Sequence, residues 1–269
     1  MCSPAGAFPC STQPEFIPNR TQFGPETNVS LGATGIQDPA GPQLRCIFRF
    51  SPTGIADLCQ PMKQLIDQAT WNRREHFAFF SAFEEPFFGL VATVDCTRAL
   101  VEAKRQGVPF FLYYLHAAMQ AVNQVEAFRY RIEDGQVYCY DRIHASATIE
   151  RADHTFGFSF LEYHDGLVDF LATANAEIAA VQASEGLRLN EQTGRPDVIH
   201  FSALPWVRFT GLSHARSFTH PDSCPKVSVG QIYMQGEATL MPVSVNIHHG
   251  LADGYHVGQF LTAFQQYLG

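Results

Sequence analysis

The chain has 269 residues, of which 46% are hydrophobic and 16% are charged, and its formal net charge is −8. This composition is sufficient for a sizeable core and excludes a globally disordered chain. With 18 Lys and Arg against 26 Asp and Glu, the chain lacks the basic excess typical of nucleic-acid-binding proteins. No apolar run reaches the roughly 18 residues that a membrane span requires. We therefore expect neither nucleic acid nor membrane as a partner.

The cysteines indicate a reduced, cytoplasmic protein. Their number is odd and no C-x-x-C pair occurs, which argues against a disulfide framework and a structural zinc site. The start of the sequence shows no basic region followed by an apolar one, so we expect no secretory signal. The seven residues are Cys2, Cys10, Cys46, Cys59, Cys96, Cys139 and Cys224.

Composition changes near residue 61. Nine of the 16 prolines lie at or before Pro61, and residues 1 to about 42 show neither helical nor strand periodicity. This predicts a largely flexible N-terminal extension over 1–61, with one possible short strand at Arg45–Phe50, and a folded domain over 62–269.

The folded part predicts an α+β protein in which an antiparallel or mixed sheet dominates. Gly107 and Pro109 end one predicted helix, and Asp134-Gly135 forms the two-residue turn of a hairpin. The predicted strands are 88–94, two strands around the 134–135 turn, 145–162 with a break, 198–202, 227–234 and 240–247. The predicted helices are 97–106, 110–125, 167–183 and a C-terminal helix with apolar residues from Val257 to Leu268.

The most informative stretch runs from Pro242 to Gly254 and ends in His-His-Gly-Leu-Ala-Asp-Gly. Strand alternation places His248 with the polar face and His249 with the apolar face, just as the strand ends. A histidine there is expected to be desolvated and neutral, and a neutral imidazole can serve as a general base. Asp253 is placed to cap the helix that starts at Gly254.

Simpler interpretations of the same residues remain open. A histidine at the end of an apolar strand is usually a satisfied core residue, and an aspartate before a helix is usually only a cap. The histidine pair could be half of a metal site, but adjacent strand residues point to opposite faces and no third ligand is evident nearby. We therefore expect no metal. We also find no G-x-S-x-G elbow and no P-loop, so a covalent enzyme intermediate is not expected.

Four motifs together resemble the chloramphenicol acetyltransferase family. His248 to Gly254 matches the H-H-x-x-x-D-G motif that this family shares with dihydrolipoyl acyltransferases and with condensation domains of peptide synthetases. The residues that flank this motif, from Met241 to Phe260, are similar to those of the chloramphenicol acetyltransferases, and so are three further motifs. These motifs are Trp71-Asn-Arg-Arg-Glu-His-Phe77, Ala121-Val-Asn-Gln124 and Ser202-Ala-Leu-Pro-Trp206, in the family's order.

The resemblance implies a role for five residues. His249 matches the general base that takes a proton from the acceptor hydroxyl as it attacks acetyl-CoA. Asp253 matches a structural carboxylate that pairs with an arginine, here Arg73. Ser202 matches the serine that stabilises the tetrahedral oxyanion, and Ser228 stands where the family usually has a threonine that holds a water.

The implied fold is a two-layer α/β sandwich that forms a homotrimer, with each active site between subunits. The implied activity is acetyl transfer from acetyl-CoA to chloramphenicol, hence antibiotic resistance. The implied acceptor residues are Phe79, Phe80, Phe87 and His200.

Several departures concern the acceptor. Phe80 lacks the hydroxyl of the tyrosine usual at its position, His200 replaces a usual asparagine, and the loop at Glu84–Phe88 is altered by about one residue. Met62 stands where short members of the family begin, so residues 1–61 are either an added arm or the product of a misplaced start codon. The alternative functions are acyl transfer to another small hydroxyl or thiol, and non-catalytic binding of an aromatic ligand.

Overall fold

The computed structural model describes residues 62–217 and 222–269. The predicted N-terminal extension and the predicted strand at Arg45–Phe50 lie outside the described residues. The strands are β1 Lys63–Leu65, β2 Phe87–Asp95, β3 Tyr130–Glu133, β4 Gln136–Tyr140, β5 His144–Glu150, β6 Phe156–Phe158, β7 Val198–Leu204, β8 Lys226–Gly230, β9 Tyr233–Gln235 and β10 Ala238–His248. The helices are α1 Arg74–Ser81, α2 Thr97–Gln106, α3 Phe110–Gln124, α4 Leu167–Gln182 and α5 Gly254–Leu268.

A seven-stranded mixed sheet forms the centre of the domain, as the sequence predicts. Its strand order is β2-β10-β8-β7-β5-β6, with β9 attached to β10. Strand β10 runs antiparallel to β2 and β8, whereas β8, β7 and β5 are parallel neighbours. A separate small sheet joins β1, β4 and β3, and the hairpin between β3 and β4 turns at Asp134 and Gly135, both with positive φ.

The two faces of the central sheet differ in chemistry. The face that we call the apolar face is lined by residues such as Val243, Val245, Val227 and Phe201, all buried, and packs against the helices. Helix α5 contacts β2, α2 contacts β10, and α4 contacts β5. The other face carries Ser244, Ser228 and Ser202 and is called the polar face below.

The Ala-Val-Asn-Gln motif serves this packing. Asn123, at the end of α3, donates from its amide to the carbonyls of Met119 and Ile143 and accepts from the N–H of Ile143. One side chain therefore fixes the end of the central helix to the chain just before β5. This is a structural use of the motif, since three of the four hydrogen bonds an asparagine can make are satisfied locally.

The prediction of one strand over 227–234 is wrong. The chain leaves the ladder after Gly230, and β9 begins only at Tyr233. Pro242 on β10 faces this point, and proline has no N–H with which to extend the ladder. The N–H of Gln231 instead donates to the carbonyl of Val207. Helix α1, which begins directly after Arg73, was not predicted as a helix.

Candidate active site

The two histidines of the motif lie on opposite sides of the end of β10. The N–H of His249 donates to the carbonyl of Pro86 at 2.8 Å, which continues the β2–β10 pairing one residue beyond the strand. The ring of His248 contacts Phe87, whereas the ring of His249 contacts Phe80 and Phe88. The alternation that the sequence predicts is therefore present.

The imidazole of His249 is held on three sides. It stacks on Phe80, with ring centroids 4.0 Å apart and planes 12° from parallel, and lies 4.4 Å from the ring of Phe88. Its Nδ1 is 3.2 Å from the carbonyl oxygen of Ala252. A carbonyl only accepts, so Nδ1 carries a proton and donates; in a neutral imidazole, Nε2 is then the nitrogen that can take a proton.

His249 is half-buried, not fully desolvated as the sequence predicts. The buried histidine is His248, which is 3% exposed. Burial, with the nearby Arg216 guanidinium as a further contribution, lowers the pKa of His248 to about 4. Its Nδ1 accepts the N–H of Gly250, so this neutral ring shapes the turn that follows the strand.

Arg73 and Asp253 support the same turn from outside. An Nη of Arg73 donates to Oδ2 of Asp253 at 2.7 Å, and the other donates to the carbonyl of His249 at 3.2 Å. The remaining carboxylate oxygen accepts the N–H of Tyr255 and so caps α5, as predicted. Partial burial opposes ionisation of Asp253, but the hydrogen bond from Arg73 and nearby positive charge outweigh it, and the pKa is lowered to about 2.

A row of hydroxyls crosses the polar face. Ser202, Ser228 and Ser244 are direct cross-strand neighbours on β7, β8 and β10. Thr148 extends the row onto β5, with its Oγ1 3.4 Å from the Ser202 hydroxyl. Ser228 is fully buried, and among the residues that the structure describes its Oγ has no hydrogen-bond partner. A buried hydroxyl without a hydrogen-bond partner is costly.

One subunit does not bring Ser202 and His249 together. Ser202 lies in the same cross-strand row as Ser244, two strands away, which is about 10 Å across the sheet. Ser244 in turn precedes His249 by five residues, which is about 16 Å along β10. The serine also belongs to the polar face, whereas His249 continues the apolar face. Within one chain the two side chains therefore do not meet at one reacting carbonyl.

The four predicted acceptor residues fall into two groups. Phe80 covers His249, and Phe79 packs on Phe80 while remaining 61% exposed. Phe87 and His200 lie instead on the polar face, with Phe87 against His248. Strand alternation explains why Phe87 does not lie beside His249. Phe87 and Phe88 point to opposite sides of β2, and Phe88 is the one that contacts His249.

Sequence reasoning missed two residues that belong to these groups. Phe88 contacts His249, and continuing the alternation of β2 would have indicated it. Lys226, on the polar face between His200 and Asn246, is buried and carries a charge in the centre of a sheet. A lysine directly before an alternating Val-Ser-Val-Gly run was a visible signal of this.

Within 62–217 and 222–269, no group of three or more His, Cys, Asp or Glu side chains is arranged to hold a metal ion. Over the same residues, no helix combines the length and the apolar character needed to cross a bilayer.

The family model and the relatives identify the chain as an acyl-transferring enzyme. A family model described as chloramphenicol acetyltransferase matches residues 62–265, and the chain belongs to that family. It is 29% identical to a chloramphenicol acetyltransferase of Proteus mirabilis over 204 residues, which are 76% of this chain and 93% of the relative. It is 30% identical to chloramphenicol acetyltransferase 2 of Escherichia coli, over 74% of this chain and 94% of the relative.

Solved structures agree on the fold. A chloramphenicol acetyltransferase superposes with a TM-score of 0.72 at 30% identity, covering 77% of this chain and all of the other. A probable dihydrolipoamide acetyltransferase from Listeria monocytogenes superposes with a TM-score of 0.53 at 14% identity, covering 72% of this chain and 88% of the other, a likeness of fold alone.

Proposed function

We propose that this protein transfers the acetyl group of acetyl-CoA to a hydroxyl of chloramphenicol. Family membership supports the reaction class, and the names of the relatives support the acceptor. The observation that carries the proposal is the hydrogen bond between Nδ1 of His249 and the carbonyl of Ala252. In the neutral imidazole, this bond makes Nε2 the unprotonated nitrogen and fixes its orientation, which is what proton removal from a hydroxyl requires.

The reaction balances with one base and no covalent enzyme intermediate. Nε2 of His249 takes the hydroxyl proton as the oxygen attacks the thioester carbonyl, and a tetrahedral intermediate forms. The hydroxyl of Ser202 donates to its oxyanion, a contribution worth about 10²–10³ in rate for such donors. Ser228 holds a water at the same centre. As the intermediate collapses, the C–S bond breaks and His249 returns the proton to the thiolate of CoA.

The complete site is formed between two copies in a homotrimer. The separation of Ser202 from His249 supports this arrangement, because each copy carries only one half of the required geometry. The aromatic surface over His249 gives further support, since Phe79 and Phe83 are 61% and 47% exposed and gain from being covered. In this arrangement Phe79 and Phe80 of one copy, and Phe87 and His200 of the next, line the acceptor pocket.

The test is release of free thiol from acetyl-CoA, with and without chloramphenicol. Chloramphenicol-dependent release that is lost in His249→Gln supports the proposal. Release that depends on another hydroxyl or thiol compound, but not on chloramphenicol, would establish the alternative acyltransferase. Binding of chloramphenicol without any thiol release would establish an aromatic-ligand-binding protein instead.

A further inference from the structure

A second polar row lies beside the hydroxyl row on the polar face. His200, Lys226 and Asn246 are direct neighbours on β7, β8 and β10, two residues along each strand from Ser202, Ser228 and Ser244. The next position, on β2, is Gly89, where a Cβ would overlap the amide oxygen of Asn246. The glycine thus leaves room for the asparagine side chain to lie across β2.

Lys226 is the least expected member of this row. It is 6% exposed in a central strand, and its ammonium pairs with Asp222 and donates to the carbonyl of Cys224 at 3.3 Å. The same nitrogen lies 4.9 Å from the centre of the Phe87 ring. Buried ion pairs contribute little stability compared with well-packed apolar residues, so stability does not account for a lysine here.

Two cationic side chains, Lys226 and Arg216, lie against the ring of Phe87. The guanidinium of Arg216 lies 3.5 Å from the centre of the Phe87 ring and forms an ion pair with Glu85. Its Nε is buried and has no partner among the described residues, and an arginine nitrogen can only donate. Lys226 makes two hydrogen bonds with its three ammonium donors. The surface formed by Lys226, Arg216 and Phe87, called the wall below, therefore has donors that the described residues do not use.

We propose that this wall selects an acceptor that carries an oxygen-rich group, a nitro group or a carboxylate, in addition to the hydroxyl to be acetylated. The wall adjoins the hydroxyl row, because Lys226 is two residues from Ser228 along β8, a backbone separation of about 7 Å. The proposal rests on the proposed function, because the hydroxyl row marks where the acetyl group is transferred. Lys226 is then the residue that determines which acceptors bind well.

The test uses one acceptor scaffold with four para substituents on its phenyl ring. Nitro and carboxylate offer only acceptor oxygens, hydrogen offers nothing, and an amino group offers donors. We expect kcat/KM to be about 10- to 100-fold higher for the nitro or carboxylate compound than for the amino compound, the range of one hydrogen bond to a charged group. In Lys226→Met this preference should fall to less than about threefold.

Matched controls separate the wall from general effects. Lys104→Met, exposed on α2, removes the same charge elsewhere and should keep the wild-type preference. Lys226→Arg should keep part of it. Thermal unfolding shows whether each variant is folded. If Lys226→Met fails to fold, Phe87→Leu removes the ring that both cations contact and should weaken the preference in the same direction.

Equilibrium binding of the four compounds to wild-type protein makes the test independent of turnover. If no compound is acetylated, the proposed function fails, and the order of Kd values still decides this proposal. Equal kcat/KM and equal Kd across the series in the wild type would overturn it, as would an unchanged preference in Lys226→Met. A preference for carboxylate over nitro assigns an anionic acceptor, and the reverse assigns a neutral one.

Discussion

Arg73 and Asp253 are 180 positions apart in the chain, yet a 2.7 Å hydrogen bond joins them at the base of the turn that carries His249. The guanidinium is buried, and about a third of the carboxylate side chain is exposed. Because Arg73 also holds the carbonyl of His249, the pair couples the start of α1, the end of β10 and the start of α5. The pair therefore fixes the turn that carries His249.

We predict that Asp253→Asn lowers both activity and stability. The variant leaves the buried guanidinium of Arg73 without a charged partner, at a cost of about 1.5–3 kcal/mol in the free energy of unfolding. The folded pKa of Asp253 is about 2, below its ordinary value of 3.8, so the ion pair stabilises above pH 4 and its contribution is lost as pH falls towards 2.

Thermal unfolding from pH 7 to pH 2 checks this prediction. The difference in Tm between wild type and Asp253→Asn should be full at pH 5 and shrink below pH 4. Glu102→Gln, which removes an exposed pair with Arg105, should leave activity unchanged. A variant of Asp253 with wild-type stability but no turnover would show that the carboxylate acts in the chemistry.

His249→Gln should lower kcat by about 10²–10⁴ while the protein stays folded, because a positioned general base is lost. The matched variant is His248→Asn, whose amide oxygen can still accept the N–H of Gly250. It should lose far less activity, since this ring lies on the other face. Thiol-release kinetics and circular dichroism measure both variants, and a more damaging change at His248 would refute the assignment of the base.

Mixing two inactive variants should restore activity. In the proposed homotrimer, neither His249→Ala nor Ser202→Ala forms a complete site by itself. In trimers refolded from an equal mixture, a site is complete when the histidine and the serine come from the two different variants in the right order. Random assembly makes this true for about a quarter of the sites. Recovery near zero, with mixed trimers demonstrated by a tag, would place both residues in one subunit's site.

Ser228→Ala should separate activity from stability. The hydroxyl has no partner within the described part of the chain, so its removal should leave Tm unchanged or raise it, while kcat/KM falls by about 10- to 100-fold. Ser159 is the contrasting control, because its buried hydroxyl donates to the carbonyl of Ala147 at 2.9 Å. Ser159→Ala should lower Tm and keep activity. A loss of stability in Ser228→Ala would assign it a structural role.

A chain that begins at Met62 should fold, trimerise and acetylate its acceptor much as the full chain does. The match to the family model starts at residue 62, and every residue assigned to the site lies beyond it. Turnover and size-exclusion chromatography of the two chains compare them directly. Loss of turnover in the shorter chain would make residues 1–61 part of the working enzyme.

Local patterns predicted most of the elements. Helix α2 has the predicted bounds because Gly107 adopts positive φ directly after it, and the 3- and 4-residue spacing in α5 identified its buried face. Strand alternation separated His248 from His249. These features depend on residues that are close in sequence, and their physical causes act over one or two turns.

What the sequence did not reveal depends on contacts between distant residues. The break after Gly230 follows from Pro242 on a neighbouring strand, and the half-exposure of His249 follows from how α1 covers it. The sequence predicted Phe80 and Phe87 as residues of one acceptor pocket, but the register of β2 places their rings on opposite sides of the central sheet within one chain. The pairing that aligns His200 with Lys226 likewise joins strands more than 20 residues apart.

The pairing of β2 with β10 has a consequence for synthesis of the chain. Strand β2 is at the edge of the central sheet, and within the described residues it pairs there only with β10, made more than 140 residues later. Until the ribosome has passed His248, β2 and one side of β8 have exposed backbone groups and an uncovered apolar surface, a condition that favours aggregation. A chain that terminates between Gly230 and Ala238 should therefore be insoluble or depend on chaperones. Removal of an equal number of residues from the N-terminal end should be tolerated.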